Sequence, residues 1–185
     1  MPQHGPTGFP QPILSPNALA QALGFVAWTI DPIFPTFSGT QANVHLGGVY
    51  FSAGDIVSGI LVPVTSAASG ITGSYVGIYD SGLGLEVSSP NIAATIGTLT
   101  NQWVPCAFST PWTAPYSGLH YLGSSFTAGT TLPGVLNYQW NSALITSFPQ
   151  GFPRGVHAQT AASGGMPNPA VSSGTFTNFP LLIAY

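Results

Sequence analysis

The chain has 185 residues, and its charged side chains are four acids and a single Arg, giving a formal net charge of −3. A nucleic-acid-binding surface needs several Lys or Arg side chains to displace phosphate counterions, so this composition excludes one. Every apolar run is interrupted well before the ~18 residues that a membrane-spanning helix needs. The first residues also lack the basic and apolar regions of a secretory signal, so we expect no export by that route.

The segment 1–16 contains five prolines and two glycines, which suit an extended chain and oppose a helix or a central strand. We predict that it is an arm that docks onto a neighbouring protein; the alternative is that it lies over its own domain. A short helix is predicted next, with Asn17 as N-cap and Gly24 as C-terminal stop. Residues 1–24 thus form the arm and 25–185 the folded domain. The predicted docking residues of the arm are Pro2, Pro6, Phe9, Pro10, Pro12, Ile13 and Leu14.

After residue 24 the sequence is typical of strands rich in Val, Ile, Thr, Tyr and Phe, with Gly, Pro and Ser between them. Their spacing of about ten residues, without helix-sized linkers, predicts an all-β fold: an antiparallel β-sandwich of jelly-roll type. The polar segment Ala161–Thr177 is predicted to be a long loop. The predicted strands are Phe25–Ile30, Val44–Phe51, Ile56–Thr65, Ser74–Tyr79, Leu85–Ser88, Trp103–Ser109, Gly118–Phe126, Val135–Trp140, Gly155–Gln159 and Phe179–Ala184.

The residue types that carry catalysis are few and scattered. Asp31 and Asp80 lie next to Pro and Gly, where a carboxylate forms a turn by accepting nearby backbone hydrogen bonds. Cys106 is alone in an apolar stretch and is predicted to be a buried, inert thiol. Neither a nucleophile elbow nor a phosphate-binding loop occurs. We therefore expect no enzyme activity, no cofactor and no bound metal, since metal-ligand spacing is also missing among His4, His45, His120 and His157.

Aromatic side chains remain as candidates for ligand binding. Trp28 and Trp103 lie inside predicted strands and are expected to pack in the core. Trp112, Tyr138 and Trp140 lie beside turns that contain Pro or Asn, and for them the sequence does not decide between burial and exposure. Aromatic faces stack on sugar rings, and flanking amides and hydroxyls bind the sugar hydroxyls without any charge. The candidate glycan-binding residues are Trp112, Tyr116, Tyr138 and Trp140.

Several short motifs resemble, in order, those of a domain found in virion proteins of phages that infect actinobacteria. They are Ala27–Pro32 (AWTIDP), Leu46–Phe51 (LGGVYF), Tyr75–Ser81 (YVGIYDS), Trp112–Leu122 (WTAPYSGLHYL), Gly129–Pro133 (GTTLP) and Arg154–Ala158. The resemblance implies a β-sandwich of minor tail, head fibre or decoration proteins, often oligomeric, that attaches to carbohydrate or to the host surface. It supplies no catalytic residues. The chain lacks the long stalk of many fibre proteins, which favours direct docking through the arm.

These observations predict a non-enzymatic structural protein on the exterior of a bacteriophage virion, made in the host cytoplasm. Its expected partners are other virion proteins of the capsid or tail and further copies of itself, with a trimer as one arrangement that suits capsid symmetry. The alternative is an adhesin that binds carbohydrate on the host surface. A glycan-degrading enzyme is a third, less favoured hypothesis.

Overall fold

The computed structural model of the chain describes residues 18–29, 37–40, 43–127, 129–139, 156–160, 164–175 and 178–185. Two short helices, α1 (Ala18–Ala22) and α2 (Ala93–Ile96), accompany the strands in this part of the chain. The strands are β1 (Ala27–Trp28), β2 (Phe37–Thr40), β3 (Asn43–Phe51), β4 (Ile56–Ser66), β5 (Ser74–Tyr79), β6 (Leu85–Ser88), β7 (Gln102–Thr113), β8 (Gly118–Phe126), β9 (Gly134–Gln139), β10 (Val156–Thr160), β11 (Ser172–Thr175), β12 (Asn178–Pro180) and β13 (Ile183–Ala184).

The strands form two antiparallel sheets. The first sheet has the order β1-β13-β4-β9-β12, with β7 paired to β4 and β2 paired to β9. The second sheet has the order β11-β10-β3-β8-β5-β6. The prediction of an all-β, antiparallel fold is confirmed. The finer assignment as a jelly-roll-like sandwich stays a prediction.

One apolar core draws side chains from both sheets. In the first sheet, Ile60 lies opposite Cys106 and Val62 opposite Val104. Residues directly opposite each other in an antiparallel pair share a face, so these four side chains form one inward layer. All four belong to the same buried cluster as Val49, Phe51, Val76, Ile78 and Leu122 of the second sheet. The alternation along β4 and β7 thus decides which residues remain on the outer face.

A short segment, residues 164–170, covers the outer face of the second sheet; we call it the strap. Its Met166 is buried above Gly77 and Gly123, which lie opposite each other in β5 and β8. A Cβ atom at Gly123 would come within 2.9 Å of the Met166 Cε and 2.7 Å of the Leu46 Cδ2. The two glycines therefore leave a slot that the thioether side chain fills.

Hydrogen bonds fasten the second half of the strap to the second sheet. The hydroxyl of Tyr79 donates to the carbonyl of Pro167 at 2.9 Å, and burial raises the pKa of this hydroxyl. The backbone N–H of Leu85 donates to Asn168 Oδ1 at 3.1 Å. Ala170 N–H donates to a carbonyl at the β5–β6 turn at 2.9 Å. These bonds all lie within the four residues that follow Met166, and they hold it over its slot.

The strand predictions agree best with the structure where turn residues flank the strand on both sides. Predicted and observed bounds coincide for β5, β6 and β8. The short helix is observed within its predicted range, and Gly24 ends it with a φ of +84°. This left-handed conformation is the one that favours glycine at a helix C-terminus.

Other predicted bounds are wrong. The long loop predicted over 161–177 contains β11, a strand of Ser, Gly and Thr. The sequence pattern does not indicate this strand because it contains no apolar residue. The last predicted strand is interrupted between β12 and β13, and β2 and α2 were not predicted. Strand β1 is shorter than predicted and β7 longer, running through two prolines. The arm before residue 18 lies outside the described residues.

We predict that replacing Met166→Ala lowers the free energy of unfolding by about 2–5 kcal/mol, because it empties the slot above the two glycines. Val171→Ala is the matched control, since Val171 lies just after the strap and is 61% exposed. We expect that control to change stability by about 0.5 kcal/mol or less. Urea denaturation measures both variants. Equal effects of the two substitutions would show that the strap does not stabilise the second sheet.

Candidate functional site

Trp112 is a core residue and leaves the candidate glycan-binding set. It is 8% exposed and makes edge-to-face contacts with Phe51 and His120, with ring centroids 5.3 and 5.4 Å away. Its indole Nε1 donates a hydrogen bond to Glu86 Oε2 at 3.2 Å. The sequence left its exposure open because Pro111 precedes it. In the structure β7 continues past that proline and turns the indole inward.

Tyr116, another of the predicted glycan-binding residues, is accessible at the surface. It is 39% exposed and stacks on the buried ring of His120 at a centroid distance of 4.7 Å. Tyr138 lies in β9 opposite Phe179. Trp140 lies outside the described residues, as do the docking residues Pro2, Pro6, Phe9, Pro10, Pro12, Ile13 and Leu14. The structure therefore does not bring the four predicted residues together as one face.

His120 is buried inside an aromatic cluster with Phe51, Trp112 and Tyr116. Its Nδ1 lies 3.1 Å from the carbonyl oxygen of Gly118. Since a carbonyl only accepts, Nδ1 carries the hydrogen and Nε2 is left as an acceptor. Nε2 has no hydrogen-bond partner among the described residues. An imidazole enclosed in this way packs as a core ring.

The acids that the structure describes act in turns or support the core. Asp80 Oδ1 accepts hydrogen bonds from the N–H groups of Gly82 and Gly84, both at 2.8 Å, which confirms the predicted turn. Asp55 Oδ2 accepts one from the N–H of Ser52 at 2.8 Å. Asp31 lies outside the described residues. Within the part of the chain that is described, no three His, Cys, Asp or Glu side chains come together as a metal site.

Cys106 is 1% exposed, as predicted for an inert thiol. It lies in the inward layer of β7, and burial raises its pKa to about 12. A thiol needs its deprotonated form to attack an electrophile or bind a metal. The neutral thiol therefore serves as a small apolar side chain.

A groove of about 280 Å³ opens beside the start of β7 and is the candidate functional site. Trp103 lies opposite Pro63 across the β7–β4 pair, and both are one residue away from the inward Val62 and Val104. Alternation therefore places Trp103 on the outer face, where it is 44% exposed. The prediction that it packs in the core is wrong. The groove is lined by Pro63, Val64, Thr65, Asn101, Gln102, Trp103 and Leu136.

The polar groups of the groove are neutral. Asn101, just before β7, adopts a φ of +53°, a left-handed conformation that Asn tolerates better than most residues. The side-chain amides of Asn101 and Gln102 form no hydrogen bond in the described part of the chain, and neither does the indole N–H of Trp103. The groove thus offers an aromatic face, two apolar walls and amide groups that both donate and accept.

A sequence signal for this groove exists in the alternation of β7. Val104, Cys106 and Phe108 are spaced by two and form one apolar row, which leaves Trp103 on the opposite face. The general tendency of tryptophan to be buried predicts the opposite face for Trp103. The missed residues are Trp103, Asn101 and Gln102.

Comparison with protein families, with curated proteins and with solved structures found no match to this chain. Among the described residues, the helices are too short to cross a membrane.

We expect the two tryptophans of β7 to differ sharply in their contribution to stability. Trp112→Ala removes a buried ring and leaves a cavity, so it should lower the free energy of unfolding by about 3–5 kcal/mol. Trp103→Ala removes a half-exposed ring and should cost about 1 kcal/mol or less. Chemical denaturation of both variants, with the parent protein as reference, measures the difference. A larger cost for Trp103→Ala would contradict the assignment of the two faces.

The Cys106 thiol should be unreactive towards Ellman's reagent at pH 8 in the folded protein and react fully in urea. Because folding raises its pKa from 9.0 to about 12, the folded state favours the neutral thiol. The associated stability is present below about pH 9 and is lost as the pH rises towards 12. Cys106→Ala should weaken this alkaline loss of stability. Rapid labelling of the native thiol at pH 8 would refute the assignment of a buried side chain.

Proposed function

We propose that the chain is a non-enzymatic structural protein on the exterior of a bacteriophage virion, of the capsid decoration, head fibre or minor tail type. The observation that carries this proposal is an apolar row on the outer face of the first sheet. Trp28 lies opposite Ile183, which in turn lies opposite Leu61 on the next strand. Leu61 lies opposite Pro105, so the row crosses β1, β13, β4 and β7.

This row faces away from the core. The neighbouring row, Ala27, Ala184, Ile60 and Cys106, belongs to the buried cluster between the sheets. Antiparallel sheets that meet water on one face place polar residues there. Along this row Ile183 is 3% exposed, Trp28 and Leu61 are half-buried and Pro105 is exposed. The row therefore reaches the surface at its Pro105 end, where it offers an apolar contact to another protein. We therefore propose that the first sheet docks in an assembly.

The composition supports an assembled state. A net charge near zero weakens the electrostatic repulsion that keeps proteins apart, and this chain has a formal charge of only −3. Asp55 and Asp80 accept hydrogen bonds in turns. Glu86 accepts one from the buried Trp112, and His120 packs in an aromatic cluster. These roles favour a non-enzymatic protein. The virion as the assembly is suggested by the motif resemblance. We propose other virion proteins as partners through the N-terminal arm, together with self-association, for which a trimer suits capsid symmetry.

A charged residue on the apolar row should remove the protein from its assembly. Pro105→Glu places a carboxylate at an exposed position of the row, so the domain stays folded while a buried contact becomes unfavourable. Ser81→Glu is the matched control at an exposed turn of the second sheet. We expect Pro105→Glu to lower the amount of this protein in purified phage particles about tenfold or more, and Ser81→Glu to leave it unchanged.

The measurement is quantitative mass spectrometry of particles produced from the encoding genome, with immunogold labelling to locate the protein. Circular dichroism of the purified variants checks that both are folded. Absence of the parent protein from purified particles would refute the virion proposal. Normal incorporation of Pro105→Glu would refute the docking face, and a parallel deletion of residues 1–17 would then test the arm as the anchor.

A host-surface adhesin that binds carbohydrate is the second candidate function. The observation that favours it is the groove at Trp103, where an exposed aromatic face lies beside the exposed amides of Asn101 and Gln102. This role is compatible with display on a virion exterior. It requires that the groove remain open when the apolar row is covered.

A further inference from the structure

The groove at Trp103 has the three chemical features of a site for an uncharged, hydroxyl-rich ring. The first is the indole face. Trp103 is 44% exposed beside the buried Pro63 and the half-buried Leu136, so the ring is presented at a concave surface. The C–H face of a pyranose is apolar and flat enough to stack on an indole, and stacking removes both surfaces from water.

The second feature is the pair of amides next to the indole. Asn101 and Gln102 precede Trp103 directly, and their side-chain amides have no hydrogen-bond partner within the described residues. An amide donates through its NH₂ and accepts through its oxygen. A single amide can therefore bridge two neighbouring sugar hydroxyls, donating a hydrogen bond to one and accepting a hydrogen bond from the other. A ligand that satisfied these groups would be oriented by them on the stacking face.

The third feature is the absence of charge. The seven residues that line the groove are all uncharged at every pH at which the domain is folded. A phosphate, sulfate or uronate would enter without a counter-charge and would lose its hydration. The volume of about 280 Å³ lies at the lower end of the ~300–1,000 Å³ that is usual for small-molecule sites. It therefore suits one ring of a longer chain.

We infer that the Trp103 groove binds one ring of a neutral carbohydrate, with Trp103 as the stacking residue and Asn101 and Gln102 as the hydroxyl-binding residues. The inference goes beyond the structural role and deepens the second candidate function, on which it rests. A Pro-rich peptide is a second kind of ligand for aromatic grooves, which recognise it through several aromatic side chains. Among the described residues this groove has one aromatic side chain, so its chemistry favours the sugar.

The test uses the full-length protein and neutral oligosaccharides as probes. An array containing cellohexaose, mannohexaose and the acidic hexagalacturonate identifies the best neutral probe, and isothermal titration calorimetry then measures its Kd. We expect a neutral hexasaccharide to bind and hexagalacturonate not to bind. Trp103→Ala should weaken binding about tenfold or more, as expected for the central aromatic contact of a site. Asn101→Ala and Gln102→Ala should each weaken it by about threefold or more.

Tyr50→Ala is the matched control, because Tyr50 is a 40% exposed aromatic residue that does not line the groove. It should leave the Kd unchanged. The inference is overturned if no neutral probe binds at millimolar concentration, if Trp103→Ala binds like the parent, or if only Tyr50→Ala loses binding. It is also overturned if a synthetic peptide of residues 1–17 occupies the groove in place of the sugar.

These outcomes are independent of the virion proposal. Sugar binding is measured on the purified chain, whereas the docking face is measured by incorporation of Pro105→Glu into particles. Loss of sugar binding with normal incorporation would reject the groove alone. Sugar binding by a protein that is absent from particles would reject the virion role alone.

Discussion

The pairing of β4 with β7 is the constraint on which the rest of the domain depends. The ladder runs from Ile56 opposite Thr113 to Val64 opposite Gln102, with one irregularity after Val57. Because side chains alternate along both strands, the ladder gives the core one apolar layer and the outer face another. Shifting the register by one residue would exchange the two. Because the core fixes which residues face inward, it also fixes which residues form the proposed docking row and the groove on the outer face.

The outer face of the second sheet is covered in a different way. Its outer face is also apolar, but the chain covers that face itself with the strap, whose methionine fills the space above two opposed glycines. The two outer faces are therefore not equivalent. One is closed by the strap and its hydrogen bonds. In the first sheet the apolar row is buried at Ile183, half-buried at Trp28 and Leu61, and exposed at Pro105. The proposed contact surface therefore lies at the Pro105 end of the row.

The sequence predicts strand bounds well where turn residues flank a strand on both sides. β5, β6 and β8 are found at their predicted bounds because segments rich in Gly, Ser, Pro and Asp separate them from the neighbouring strands. β11 was missed because it consists of small polar residues, whose pairing depends on a neighbouring strand rather than on their own propensity. The candidate site likewise depends on pairing between strands that are distant in sequence.

The roles of the tryptophans show why. Sequence position inside a strand assigned Trp103 to the core, and a nearby proline left Trp112 open, but the register of β7 against β4 places them the other way round. Trp112 has the same parity as Val104, Cys106 and Phe108, so the alternation of β7 also indicates its position on the core face. Asp80 was predictable because its turn is a local structure of five residues. The groove was not, because Leu136 reaches it from a distant part of the chain.

The position of β13 has a consequence for the order of folding. This strand lies between β1 and β4, so residues near 27 and 60 acquire their neighbour only from residues 183–184. Its flanking residues are tied in as well, since the N–H of Leu182 donates to Thr29 Oγ1 at 2.9 Å. Contacts this far apart in sequence raise the contact order and slow folding. During synthesis the edge of β4 that pairs with β13 would therefore stay unpaired until residues 183–184 emerge. Strand β1 would lack its partner strand until the same point.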